Sequence, residues 1–324
     1  MNKYSGRWKD DSGARLAVEV IERLKKGESL ENLGLGLTNG RVDLRGLPAS
    51  PINVSAPQRV GGLAVQTVSA LVELNRVPIV GLDLTGALLS DWRIRGCQLI
   101  NCRFDLAHCQ QWVLWDSEVR GCTFEGSRLR GSLLGTYPEG GQISWENVTF
   151  RNADLRYSSA YGAAFMRCDF SDARLDEFHF NQCRLERCRF AGRVEGAVFD
   201  GRKLEGRNDP EEIDRSDFSD AYLVNVEFRG YSLQNLALPR DEDVRLIRTF
   251  PCVAKEVLQA LRGDESKPAQ LLAAALENSL RGPQTATASD VFNRRDWRAW
   301  GGDELLALAD AQFRQAESKC RGLT

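Results

Sequence analysis

Apolar residues recur at every fifth position in the first half of the chain: Leu84, Leu89, Ile94, Leu99, Phe104, Cys109, Leu114, Val119, Phe124, Leu129 and Leu134. In a chain that is 42% hydrophobic, such an unbroken run has a chance of roughly one in ten thousand per register. A period of five belongs to neither a helix nor a strand, and a fixed repeat sets the architecture ahead of local propensity. Two residues before these centres, Ala, Ser and Cys dominate. Two residues after them come mostly Gly, Asp and Asn, which tolerate tight turns. Each unit therefore reads small inside, polar, large inside, polar, turn.

A second run has centres from Phe150 to Phe190, then a four-residue step to Val194, Phe199 and Leu204; a third covers Phe218 to Leu238. Insertions are expected near 135–146 and 206–215. Like residues stand twenty apart (Trp92 and Trp112, Cys102 and Cys122, Phe150, Phe170 and Phe190). That spacing predicts four units per coil, with like side chains stacked between adjacent strands. Leu84, Phe104, Phe124, Phe150, Phe170 and Phe190 are the expected structural core. One coil cannot stand alone. An inward Leu or Phe contributes about 1.5–3 kcal/mol, while ordering each residue costs about 1–2 kcal/mol. Stability must come from stacking.

The segments GCTFEGSRLRGSLL and RNADLRYSSAYGAAFMRCDFSDARL resemble the A(D/N)LXX units of the pentapeptide-repeat proteins. The resemblance implies a right-handed quadrilateral β-helix, an all-β solenoid core over residues 81–240. Residues 1–80 are expected to form an N-terminal helical and irregular cap with a first partial coil centred on Leu44. Within it, a helix is predicted at about 12–27, with Ser12 as N-cap and Gly27 as stop, and a second helix at 63–75. Residues 241–324 lose the period of five and show helical spacing, with breaks at Gly263, Gly282–Pro283 and Gly301–Gly302. They predict a C-terminal α-helical domain that covers the open end of the solenoid.

Chemistry is sparse. No nucleotide-binding, zinc-protease or nucleophile-elbow motif is present. Seven of nine cysteines fall inside the repeat without a CxxC pair, as expected of small buried thiols. His108 and His179 occupy outward slots. No catalytic residue, metal site or cofactor is expected, and the chain reads as non-enzymatic. No apolar stretch reaches 18 residues and no secretory h-region is present, which predicts a cytoplasmic protein with no membrane contact.

Trp92 and Trp112 are large for a slot that usually holds Ala. They are either irregular core or an aromatic contact patch. Arg294, Arg295, Trp297, Arg298 and Trp300 have the composition of a binding hot spot, although the tryptophans also suit the core of a helical cap. The expected function is a non-catalytic scaffold for a protein partner. The resemblance also implies an alternative, since some members of the family bind gyrase or topoisomerase IV by imitating DNA. Charge opposes it. Residues 82–136 hold six acids and six arginines, and 147–207 carry a net +2; only 208–240 is acidic, at −4. Asp154 and Arg174, and Arg156 and Asp176, stand twenty apart and are expected to pair across coils. No basic stripe suits direct nucleic-acid binding.

Overall fold

A computed structural model describes residues 5–49, 72–135, 143–202, 213–281 and 288–321, with the backbone of four short strands between 53 and 69. The chain divides into two compact units, Met1–Ala173 and Arg174–Thr324.

The first unit opens with helix α1 (Asp11–Lys26), which buries Ala17, Val20, Ile21 and Leu24. Its N-cap is Asp10, not Ser12. The Asp10 carboxylate accepts the Gly13 N–H at 2.7 Å, and Ser12 lies inside the first turn. Gly27 closes the helix with φ 68°, where a side chain would be strained.

Coils follow. Ile94 pairs in parallel with Leu74 on one side and Leu114 on the other. Leu99 pairs with Ile79 and Val119. Arg103 bridges Asp83 and Thr123, and His108 bridges Leu88 and Arg128. Each partner is one twenty-residue coil away, and the four ladders are spaced by one five-residue unit. The ladder strands therefore extend ahead of the expected boundary at 81, to Leu74 and, through the parallel pairing of Val42 and Asp43 with Leu82 and Asp83, to Val42. Among the described residues of 63–75 no helix forms. Leu63–Val65 and Val68–Ser69 are strands of a nested antiparallel excursion, and Glu73–Asn75 enters the coil. Val65, Val68 and Val72 favour extended backbone because branching at Cβ restricts them in a helix. Leu44 is buried, and its N–H reaches Asp83 O across the excursion at 2.9 Å.

Between Leu134 and Ile143 the coil takes in six extra residues. Partners shift from twenty apart to twenty-six (Val119 with Trp145, Thr123 with Thr149, Leu133 with Ser159) and then return to twenty at Trp145 and Phe165. Ser144–Glu146 is thus a ladder strand; the insertion ends before it, not at 146. Trp145 is a fully buried centre.

The inward column is aromatic and in register. Phe104, Phe124, Phe150 and Phe170 stack with centroids 4.7, 5.3 and 4.9 Å apart, and Leu84 is buried with them. The small inward slot has a polar duty that size alone does not explain. The Cys97 N–H donates to Ser117 Oγ at 3.0 Å and the Trp112 N–H to Ser132 Oγ at 3.1 Å, while the Cys102 thiol donates to Ile79 O at 3.1 Å. Ser and Cys therefore satisfy corner amides and carbonyls that would otherwise be buried unpaired. At the turns, Asn101, Asp116 and even Leu106 hold positive φ.

In the second unit the step before Val194 shortens one coil to nineteen residues, so His179 pairs with Val198. Later partners lie 28 or 29 apart (Leu185 with Ile213, Val194 with Leu223, Phe199 with Phe228). Ile213–Asp214 is already a strand, so the second insertion ends before 213 rather than at 215. The expected centre Leu204 lies outside the described residues. Phe190 is buried and stacks on Phe218 at 4.3 Å. The Tyr231 hydroxyl donates to Cys183 O at 2.8 Å, which gives its ring a place in a small slot.

The C-terminal region is helical with one exception. Val244–Ile247 pairs antiparallel with Asp290–Asn293, so the helix expected from 241 starts only at Phe250. Around this ribbon pack α2 (Phe250–Ala260), α3 (Lys267–Ser279) and α4 (Arg294–Cys320), the last kinked at Gly301–Gly302. Cys252 and Cys320 form a disulfide between α2 and α4. The seven cysteines of the repeat are buried and outside this bridge, but these two depart from the reading of the cysteines as small buried thiols.

Candidate functional site

The residues singled out in the sequence fall in three places. Trp92 and Trp112 are both buried and stack at 6.0 Å. The Trp112 indole N–H donates to Leu89 O, and its ring meets Phe104 edge-on at 5.4 Å. They are core, and the contact-patch reading is corrected. The indoles fit because each stacks on its counterpart one coil away, so the column widens as a whole.

The arginine-rich segment is the N-terminal part of α4. Asn293 caps it, accepting the Arg295 N–H at 3.1 Å, while its Nδ2 donates to Leu223 O at 2.9 Å. Asp296 accepts the Asn225 N–H at 3.0 Å, and the Trp300 indole donates to Asn225 Oδ1 at 3.0 Å. These bonds dock α4 onto the last coils. Arg294 pairs with Asp310, Arg295 with Asp241 and Asp243, and Arg298 with Asp303. Arg295 also lies 4.7 Å over the Tyr222 ring. Trp297 is buried against Phe292, Trp300 and Phe313. So Arg294, Arg295 and Trp297 are internal fixtures, with their charges matched by nearby aspartates. Only Arg298 and Trp300 present themselves to solvent.

This docking lines a partly open cavity of about 150 Å³. Its floor is the coil segment 225–230 and one wall is 288–293. Asn278 and Ser279 of α3 and Trp297 and Trp300 of α4 complete it. Burial pushes the Asp290 carboxyl up to about 7, against the Val291 N–H bond that favours its charge. Burial likewise raises Asp296. The unfolded state binds fewer protons at Asp290 than the folded state between about pH 4 and pH 7, so this group weakens the fold as pH rises through that window. Asp290→Asn is expected to remove that slope. Denaturant midpoints of wild type and variant, compared across that range, should diverge in favour of the variant as pH rises.

A different surface lies in the first unit, where outward slots alternate with inward centres. Val113 pairs with Arg93 and Leu133, and Trp115 with Arg95; the Tyr161 N–H reaches Gly135 O in the next coil. Leu133 and Tyr161 are exposed and Val113 and Trp115 half-buried. They lie on one outward side of successive coils, with Arg93 and Arg95 beside Val113 and Trp115. Sequence reasoning passed over Trp115, although its position directly after the centre Leu114 places it outward. Several outward charges pair two residues apart on the same strand or turn, Arg103 with Asp105, Glu118 with Arg120 and Asp154 with Arg156, and others pair across coils, as Arg167 does with Glu146. Among the described residues no cluster of three or more potential metal ligands occurs, and no helix is long and apolar enough to cross a membrane.

Stacked parallel coils with a twenty-residue register define a β-solenoid repeat protein. Residues 142–172 match the family model for pentapeptide repeats. No curated protein matches it in sequence. Among solved structures, the pentapeptide-repeat protein Rfr23 from the cyanobacterium Cyanothece 51142 is 11% identical, with 34% of this chain and 85% of that chain covered and a TM-score of 0.31. Trypsin-treated QnrB1, a plasmid-mediated fluoroquinolone resistance protein, is 20% identical over 52% of this chain and 76% of its own, with a TM-score of 0.31. HetL from Nostoc sp. strain PCC 7120, involved in heterocyst differentiation regulation, is 16% identical over 52% and 90%, with a TM-score of 0.18.

Proposed function

We propose that the protein is a non-catalytic cytoplasmic scaffold that binds a protein partner through the outer face of its coils, wound as a right-handed quadrilateral β-helix. The observation that carries this reading is the apolar face of Val113, Trp115, Leu133 and Tyr161. Apolar side chains of this kind, exposed at Leu133 and Tyr161 and half-buried at Val113 and Trp115, held on a rigid sheet face, are what a partner can desolvate with little loss of conformational entropy. Arg93 and Arg95 at its edge suit a partner whose own apolar surface has an acidic rim. The same face argues against imitation of DNA toward gyrase or topoisomerase IV. That activity calls for a single-sign negative field, whereas these coils pair their acids locally and leave arginines beside the apolar patch.

The test compares partners retained by the wild-type chain with those retained by a Trp115→Ala, Tyr161→Ala double variant. A specific partner is expected to be lost from the double variant, with affinity reduced about tenfold or more, and kept by an Arg298→Ala, Trp300→Ala variant. Equal retention by both would remove the face from the proposal. Recovery of gyrase or topoisomerase subunits, unaffected by the face variant, would favour the DNA-mimic reading instead.

A further inference from the structure

Arginines on the coils of the first unit differ in one respect. Arg103, Arg120, Arg156 and Arg167 each meet a carboxylate. Arg128 and Arg130 meet none among the described residues, and both are exposed. They flank the buried centre Leu129, so both leave the same outward side of one extended segment, about 6.7 Å apart along it. Arg130 lies 4.7 Å over the exposed ring of Tyr157, a contact that holds a cation without consuming its N–H donors. Arg93 reaches the same corner from the adjacent side. Its Nη1 donates to Gln111 O at 2.8 Å, and the Gln111 N–H donates to Arg130 O at 3.2 Å. Arg93 too has no ion pair among the described residues. At the corner itself Gly131 carries no side chain, and the Gln111 amide lies across it.

A guanidinium presents its donors as a planar fork that takes a carboxylate through two hydrogen bonds. Two such forks on alternate residues of an extended segment match acidic side chains on alternate residues of another, because both chains rise about 3.3 Å per residue. The patch is short. Asp91 occupies the same corner two coils before Gly131, and Asp154, the ladder neighbour of Arg128 in the next coil, is held by Arg156. A nucleic-acid strand draws its affinity from many phosphates in a row and finds no continuation on either side. Two or three carboxylates on a peptide fill the patch. We propose that this corner, with Arg128, Arg130 and Arg93, is a docking surface for an extended acidic segment of a protein partner, whose carboxylates at alternate positions meet Arg128 and Arg130. The surface does not use Trp115 or Tyr161, so it stands or fails without them.

The experiment is fluorescence anisotropy of labelled probes titrated with the full chain at about pH 7, where glutamates are charged, and at low ionic strength, where exposed charges are least screened. The probes are a peptide of alternating glutamate and serine, a peptide of the same composition with its glutamates in one block, and an oligothymidylate of about ten nucleotides. We expect the alternating peptide to bind at least about threefold more tightly than the block peptide. Arg128→Gln with Arg130→Gln should weaken it about tenfold or more, while Trp115→Ala with Tyr161→Ala leaves it unchanged. Near-ultraviolet circular dichroism checks that each variant keeps its tertiary packing; should the arginine double variant fail it, Arg128→Gln alone, expected to weaken the alternating peptide several-fold, still decides. Equal affinity for the two peptides, binding that the arginine variants do not weaken, or no binding of either peptide overturns the proposal. Tighter binding of the oligothymidylate than of the alternating peptide also overturns it, in favour of a nucleic-acid strand. Retention of the alternating peptide by the Trp115→Ala, Tyr161→Ala variant separates this surface from the partner face proposed above, whichever of the two fails.

Discussion

Phe124→Asp is expected to leave the coils of the first unit unfolded under conditions where the wild type is native. Phe124 stacks on Phe104 at 4.7 Å and on Phe150 at 5.3 Å, and meets Trp112 and Trp145 edge-on, each at 6.1 Å. Nothing in that surround can pair a carboxylate, and the unpaired buried charge costs several kcal/mol beyond the lost contacts. Phe124→Ala, which removes only the ring, should cost about 3–5 kcal/mol. Against a total stability of about 5–15 kcal/mol, the first variant exceeds what the fold can absorb and the second approaches it. Urea unfolding followed by circular dichroism separates the three proteins. A cooperative transition for Phe124→Asp at the wild-type midpoint would sink the assignment of this column as the core. Leu106→Asp is the control, because Leu106 sits exposed at a turn with φ 56°, a backbone that Asp tolerates better than Leu.

The period of five was legible because two constraints coincide at every unit. A large apolar group must enter the column, and a residue able to turn must follow two places on. Phe104, Phe124, Phe150 and Phe170 carry the first, and Asp116, Gly121 and Gly126 the second. The direction of Trp92 and Trp112 was harder to read, since judging each against an Ala-sized slot treats the slot as fixed. In fact slot size belongs to the column: a tryptophan stacked on a tryptophan makes its own room. The ends of the insertions and the strand Val244–Ile247 depend on distant partners. Ser144–Glu146 is recognisable only beside Glu118–Arg120, and Val244–Ile247 only beside Asp290–Asn293, some 45 residues later. Local hydrophobic spacing cannot tell such a four-residue segment, with three apolar residues around Arg245, from the start of a helix.

The candidate sites divide in the same way. Trp115 was accessible to reasoning by slot parity, because a strand residue directly after an inward centre must face outward. The cavity was not. Asn225, Ser289, Asp290 and Trp300 come together only when α4 docks on the coils, and no spacing in the sequence announces that meeting. Arg294 and Arg295 illustrate the opposite error. Arg and Trp side by side have the composition of a binding surface, yet an arginine is available to a partner only where its own chain offers no carboxylate. Here Asp241, Asp243 and Asp310 supply them.

Loss of the Cys252–Cys320 bridge is expected to have the second largest effect. The two residues are 68 apart in sequence, and closing a loop of that length restricts the unfolded chain by about 4 kcal/mol in the chain-entropy account. The bridge joins α2 to the last turn of α4, the helices whose inner faces share Val253, Val257, Leu306 and Phe313 in one core. Cys252→Ser should therefore lower the melting temperature of the C-terminal helices, and dithiothreitol should shift the wild type to the same value without shifting the variant. Identical melts for oxidised and reduced wild type would mean that the helical core holds without the bridge. The measurement also bears on compartment, because a reducing cytoplasm disfavours such a bridge. In denatured protein trapped directly from cells with a thiol-alkylating reagent, seven modified cysteines indicate a bridge formed in vivo. Nine indicate that the protein works reduced in the cell, with α2 and α4 held by packing alone.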